Sequence, residues 1–293
     1  MSAADTNWPR PLALVLSGGA ALGAVQVGML RALAEAGVRP DLIVGTSIGA
    51  LNGAFIAHRG LTLARVDELA ALWRRLRAAD IFTGMGLTAL ARLAVGRGTL
   101  CSARGLQRVL DKHFPPRREA LAIPFYAMAL ELAEGRGAVL SGDALHATLL
   151  ASAAIPLVFP KVMLEGHAYV DGGLIANCPL AEAEALGART LVVLDAGFPC
   201  RLPRVPPSGL GELVHAFQVA QRYHALLNLR LIAPATTVIY LPIPCPLELA
   251  HHDFGGGRAV IEPAYEVTRD FLADLGDVAG GVHGHPHVHP SSK

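Results

Sequence analysis

Lysine is nearly missing from this chain. It occurs three times, at 112, 161 and 293, and arginine supplies the rest of the 25 basic residues. Against 24 acidic residues the formal net charge is +1, which excludes the broad positive field of a nucleic-acid binder. Cysteine is equally sparse. Cys101, Cys178, Cys200 and Cys245 form no CxxC pair and no close metal spacing, so neither a disulfide framework nor a zinc site is expected. No apolar run approaches the roughly 20 residues of a membrane-spanning helix. Met1 to Arg10 lacks the basic and apolar regions of a secretory leader. Reduced thiols and no leader point to a cytoplasmic protein, with peripheral membrane contact still compatible. No internal repeat is evident, and the arginine- and alanine-rich composition fits a GC-rich coding genome.

What is present is an alternation of short apolar runs with helical stretches. Strand-like segments fall at about 12–16, 41–45, 123–130, 167–170, 190–195 and 237–241. That alternation predicts a mostly parallel sheet covered by helices on both faces. A chain of 293 residues can bury one large core, so a single α/β domain is expected. Its parts would be a motif-bearing core at about 12–197, a helical and loop extension at about 198–280, and a His-rich tail at about 281–293.

The most informative stretch is Val44-Gly45-Thr46-Ser47-Ile48-Gly49-Ala50. An apolar, β-branched strand runs into G-x-S-x-G, and a helix from Ile48 to His58 follows. Glycines relieve crowding around a sharply turned serine and leave its hydroxyl exposed at a helix N-terminus. An oxyanion formed there would meet the positive helix end and the Ile48 N–H. The strand-turn-helix context favours a nucleophile over an ordinary turn.

A second glycine loop, Ser17-Gly18-Gly19-Ala20-Ala21-Leu22-Gly23, lies between the strand Leu12–Leu16 and a helix from about Ala24 to Glu35. Small residues in that position aim backbone N–H groups at one point, which suits an anion. Two readings stand: an oxyanion hole from Gly18, Gly19 and Ala20, or a tight turn whose glycines serve packing. Nucleotide sites are excluded on detail. No Lys-Ser or Lys-Thr follows Gly23, and Asp41 precedes the second strand, whereas a dinucleotide fold needs its acidic residue at the strand's end. A third motif, Tyr169-Val170-Asp171-Gly172-Gly173, sets an aspartate among apolar residues before an Asn177-x-Pro179 turn and a helix at about 180–186.

Taken together, these motifs resemble those of the patatin-like phospholipases, in the form found in bacterial serine acyl hydrolases. The resemblance rests on Gly18 to Gly23, on Gly45-Thr46-Ser47-Ile48-Gly49, on Asp171-Gly172-Gly173, and on Ala151 to Pro160 ahead of the last motif; it covers residues 12 to 197. It implies a three-layer α/β/α fold with a mostly parallel central sheet. It also implies a Ser47–Asp171 dyad with no catalytic histidine, an oxyanion hole at Gly18, Gly19, Ala20 and Ile48, and structural glycines at 23, 45, 49, 172 and 173. The activity implied is calcium-independent hydrolysis of lipid acyl esters through an acyl-serine intermediate, with no metal and no cofactor. One position departs: many members carry Arg or Lys where this chain has Leu22, so a fixed cation beside the site is lost while the backbone donors are untouched.

Two rivals remain. An α/β-hydrolase triad would use Ser47, Asp195 and His251 or His252, which occur in the required order. Only 46 residues precede Ser47, however, leaving room for a single strand before the elbow strand. The other rival is a lipid-binding or regulatory module with a dead site. Arg74, Arg75, Arg77 and Arg92 flank Ile81, Phe82, Met85, Leu87, Leu90 and Leu93, bracketed by Gly84, Gly86, Gly96 and Gly98. That segment reads as an amphipathic helix pair packed on the sheet in preference to a lid at a lipid surface. Farther on, a helix at about 210–231 carries Leu213, Phe217, Ala220, Leu226 and Leu227 at helical spacing, expected to face the core. His251 to Gly257 is expected as a flexible loop. The tail from His283 to Pro290 is expected to be disordered, with any metal affinity adventitious.

Overall fold

The computed structural model describes residues 8–84, 86, 98–196, 208–245, 247, 249 and 252–286. Met85, Leu87, Leu90, Arg92, Leu93 and Gly96 of the expected amphipathic helix pair lie outside these, as do Cys200, His251 and the tail beyond Pro286.

Among the described residues nine strands form one sheet: β1 (Leu12–Leu16), β2 (Leu42–Thr46), β3 (Phe125–Glu131), β4 (Arg136–Leu140), β5 (Val162–Leu164), β6 (His167–Asp171), β7 (Thr190–Leu194), β8 (Thr237–Tyr240) and β9 (Gly281–His283). They lie in the order β5-β6-β3-β2-β1-β7-β8-β9, with β4 paired to β3. The central pairs are parallel and those involving β4, β5 and β6 are antiparallel. The expected α/β architecture is therefore present. β4, β5 and β9 were not foreseen; β4 and β5 are half-exposed, so neither shows the continuous apolar run of a central strand. The C-terminal region belongs to this sheet through β8 and β9.

Strand β1 is wholly buried, and its pleat sends alternate side chains to opposite layers. Leu12, Leu14 and Leu16 join a large cluster with helices α1 (Ala24–Glu35), α2 (Ile48–Arg59), α3 (Leu63–Arg75), α4 (Ala78–Ile81), α5 (Arg104–His113) and α6 (Leu145–Ser152). Ala13 and Val15 join a smaller cluster on the other face. That face is covered by α8 (Leu180–Ala185), which follows the short α7 (Gly173–Ala176), and by α9 (Gly209–Leu231). A final helix, α10 (Arg258–Asp274), packs on α1. Among the described residues no helix is long and apolar enough to cross a membrane.

Three expectations are corrected here. Helix α9 does form at the foreseen place, but no described side chain on it is fully buried. Leu213 is 66% exposed, Leu227 55%, and Phe217 and Ala220 also face outward. Leu213 and Phe217 instead line a cavity, while Ala225 and Leu229 pack against the smaller cluster from partly buried positions. The loop at 252–257 is not a loose one. Phe254 is buried, stacked on Trp73 with centroids 6.0 Å apart and set edge-on to Phe82. The first residues of the supposed tail, Gly281–His283, form a strand and are not disordered.

Candidate active site

Register explains how two residues 124 positions apart in sequence meet. β2 pairs with β3 up to Thr46 opposite Met128. β6 pairs with β3 from the other direction and ends with Asp171 opposite Ala129. Both lie on the edge of β3 away from β4, since Ala129 also pairs with Ala138. The C-terminal ends of β2 and β6 therefore meet head to head, and Ser47 and Asp171 are thrown onto one spot.

Ser47 leaves its strand at φ 53°, ψ −120°, a left-handed conformation that an L-residue holds only when its surroundings enforce it. The flanking glycines permit the enforcement. A Cβ on Gly45 would stand 2.6 Å from the Gly49 carbonyl oxygen, and one on Gly49 would stand 2.4 Å from the Leu16 oxygen. The Ser47 N–H donates to Ser152 Oγ (2.9 Å) and Thr46 Oγ1 donates to the Ala176 carbonyl (2.8 Å), which pins the turn from both sides. Ser152, wholly buried at the end of α6, was missed in the sequence because a serine among alanines carries no periodic signal. The Ala154 carbonyl, two residues on, accepts from the Asp171 N–H (3.0 Å), so one segment holds both residues.

Asp171 is 6% exposed. Burial pushes its carboxyl up to about 6, while the facing Ser47 hydroxyl and the Gly173 N–H (2.7 Å to Oδ1) pull it partly back. Gly172 packs on the β3 backbone at Met128. In turn the Gly173 carbonyl accepts from the side-chain amide of Gln221 on α9 (2.7 Å).

The first glycine loop lies near Ser47: a Cβ on Gly18 would stand 3.4 Å from the serine Cβ. The Gly18 N–H is committed to the Asn177 carbonyl (3.0 Å), and Asn177 Nδ2 reaches back toward the Gly18 oxygen (3.4 Å). In the sequence Asn177 signals only a turn. Gly19 and Ala20, the latter also at positive φ (50°), have N–H groups without a partner among the described residues, as does Ile48 at the start of α2. Gly23 sits against the Ile48 and Trp73 side chains. Leu22 is fully buried in the larger core cluster, so at the position where a cation was missing this chain has a packing residue.

Ser47, Asp171, Gly18, Gly19 and Ala20 line a cavity of about 620 Å³. The rest of its lining is mostly apolar and includes Ile155, Leu157, Val158 and Leu174, with Leu213, Val214 and Phe217 of α9. Cys178 also lines it, but burial and the nearby Asp195 and Glu182 raise its thiol far from a thiolate. Asp195 lines the same cavity with its oxygens accepting from Ser17 Oγ (2.9 Å) and the Tyr240 hydroxyl. No histidine is among the described residues lining it, and no group of candidate metal ligands occurs among the described residues.

Residues 14–184 match the family model for patatin-like phospholipase. The chain belongs to that family. It is 35% identical over 192 residues to patatin-like phospholipase domain-containing protein 7 of Rattus norvegicus, covering 64% of this chain and 14% of that protein. With a lysophospholipase of Aspergillus terreus it shares 30% over 209 residues, 71% of this chain and 13% of the other. A neuropathy target esterase of Drosophila melanogaster is 29% identical over 193 residues, again 64% and 13%. The chain thus spans only about a seventh of the length of these relatives. Among solved structures, VipD from Legionella pneumophila aligns with a TM-score of 0.48 at 16% identity, over 90% of this chain and 67% of that one. The patatin-like match ends before β7, so β7, β8 and β9, a third of the sheet's strands, lie outside it.

Proposed function

We propose that this protein is a calcium-independent lipid acyl hydrolase working through a Ser47–Asp171 dyad. The observation that carries the reading is a strained serine whose hydroxyl faces a buried aspartate in the lining of a mostly apolar cavity. Asp171 takes the Ser47 proton as Oγ attacks the ester carbonyl carbon. Charge moves to the carbonyl oxygen, where the N–H groups of Gly19, Ala20 and Ile48 are available to receive it. Collapse of the tetrahedral intermediate expels the alcohol, which takes the proton from Asp171 and leaves an acyl-serine. Water attacks that ester with Asp171 again as base, releasing a fatty acid and the serine. A base titrating near 6 is ionised at neutral pH yet still able to hold a proton in transit. The apolar walls suit an acyl chain. The commitment of the Asp195 oxygens argues against a triad built on that residue. A cytoplasmic protein meeting its lipid at a membrane surface fits this activity.

Hydrolysis of p-nitrophenyl esters across acyl lengths, with calcium chelated, tests it. Ser47→Ala is expected to lose about 10³-fold or more in kcat, as is typical when a nucleophile is removed. Asp171→Asn is expected to fall comparably. Wild-type kcat/KM should rise with pH through about 6 and then level, since the base must be deprotonated. Activity that survives in Ser47→Ala refutes the assignment, and a folded wild type that hydrolyses no ester and takes no serine-directed fluorophosphonate leaves the binding-module reading in its place.

A further inference from the structure

Helix α2 has two ends of different chemistry. Its N-terminus is the serine elbow. Its last turn, twelve residues and about 18 Å away along the axis, opens on a second cavity of about 830 Å³. That cavity is walled by the C-terminal half of α2 and by α3 and α5 along their lengths, with the last-turn cations Arg59, Arg75 and Lys112 of the three helices among its lining. Its floor is Arg65, whose side chain is 6% exposed. The Arg65 guanidinium lies 3.5 Å over the Phe55 ring, donates through Nε to the Phe55 carbonyl (2.9 Å), and pairs through Nη1 with Glu68 (2.5 Å).

Four more cations line the cavity: Arg59, Arg75, Arg108 and Lys112. Only two carboxylates line it with them. Glu68 is committed to Arg65, and Asp80 accepts from the Arg77 N–H (2.8 Å). None of the four has a carboxylate partner among the described residues. Cations at helix C-termini commonly serve the helix dipole, and three such ends meet here. At about half a negative charge each they offset about 1.5 of the surplus of three positive charges, leaving a concave site still positive. The two imidazoles in the cavity register that field. His58 and His113 are lowered by burial first, then by Arg65 and Arg59 in one case and by Lys112 and Arg65 in the other.

We propose that this cavity is a second ligand site, taking a phosphate group carried by a small molecule or a headgroup, distinct from the ester site. A phosphate monoester brings close to two negative charges near neutral pH and three acceptor oxygens, which a single carboxylate does not. Guanidinium groups meet it with paired N–H donors, and the ammonium of Lys112 adds a point charge. The concavity suits a compact anion better than the extended backbone of a nucleic acid.

Calorimetric titration of the full chain with inorganic pyrophosphate tests this, using the wild type and the combined variant Arg59→Gln, Arg75→Gln, Lys112→Gln. Saturable binding is expected, weakening with added salt. The combined variant should bind at least tenfold more weakly, and Arg269→Gln, on the exposed face of α10, should bind as the wild type does. Flotation with phosphatidylcholine vesicles, with and without phosphatidic acid, separates the two sources. Binding to pyrophosphate alone identifies a soluble phosphorylated ligand; recruitment by phosphatidic acid, lost in the combined variant, identifies a headgroup. Either of two binding results overturns the proposal: a combined variant that binds pyrophosphate as tightly as the wild type, or a wild type that binds neither probe. Should the combined variant also melt lower while pyrophosphate leaves the wild-type melting temperature unmoved, these cations are helix caps and no ligand site exists.

Discussion

The two faces of the sheet are covered in opposite ways. On one, α1 lies so deep that Val25, Val27, Met29, Leu30 and Leu33 are all wholly buried, with α10 pressed over it. On the other, α9 has no fully buried described side chain and leaves Leu213, Val214, Tyr223, Leu227 and Leu231 exposed. The cavity opens on this second side, and the nucleophile's helix belongs to the first. A strained serine and a buried carboxylate each work against folding, and such strain persists only where dense packing over-determines it. The thick layer therefore supplies rigidity, and the thin one supplies space for an apolar chain.

The largest effect on stability should come from damaging the thick layer. Gly28 of α1 touches α10 so closely that a Cβ would stand 2.2 Å from the Ile261 carbonyl oxygen and 2.6 Å from the Tyr265 N. Gly28→Val has no flexible neighbour to push aside and must separate the two helices. We expect a loss of about 3 kcal/mol, at the upper end for overpacking, read as a shift in urea midpoint. A loss below about 1 kcal/mol would mean that α10 is a loosely held cover, and the contrast between the faces would fail.

Much of the thick layer could be read from sequence. Strand β1 was bounded at Leu12–Leu16 and α1 at Ala24–Glu35, because a fully buried strand shows as a continuous apolar run and Gly37 stops the helix. Ser47 and Asp171 were legible through their glycines. Their meeting was not, because it depends on both β2 and β6 pairing with the same edge of β3, a contact between segments far apart in the chain. Helix α10 went unseen since Pro263 interrupts its pattern near the start. With α9 the period was right and the burial wrong: the same spacing marks a core helix and one that lines a cavity. Polar residues that serve the site from behind, Ser152 and Asn177, gave no signal in a single sequence beyond their place in small-residue turns.

A smaller effect of opposite sign is expected at the junction of the layers. The Asp171 carboxyl titrates at about 6 in the folded chain against 3.8 for the ordinary group. Between those values the folded state holds the proton more tightly than the unfolded one, so stability falls as pH rises from about 4 to 6 and is level above that. The full difference corresponds to about 3 kcal/mol at most. Asp171→Asn removes the buried charge while keeping an oxygen for the Gly173 N–H. It should therefore be the more stable protein at pH 8, by about 2 kcal/mol, with the gap closing to under about 1 kcal/mol at pH 4. Equal stability of the two at both pH values would show that the carboxylate is solvated after all, and the tuned base would lose its support.

The smallest effect on folding should come from the thin layer, and it should appear in substrate binding. Leu213→Ser with Val214→Ser alters two side chains that line the cavity while keeping about half or more of their surface in water. Because only part of that surface leaves water on folding, the double variant should melt within about 1 kcal/mol of the wild type. A bound acyl chain would cover that surface. Losing its contacts is worth about 0.8 kcal/mol per methylene no longer buried, so KM for long-chain esters should rise about 4-fold or more, with kcat and short-ester KM little changed. The split between chain lengths is the informative part. A double variant that loses short- and long-ester activity alike would place α9 in support of the dyad, through Gln221 and the Gly173 carbonyl, and make it a structural brace instead of a wall for substrate.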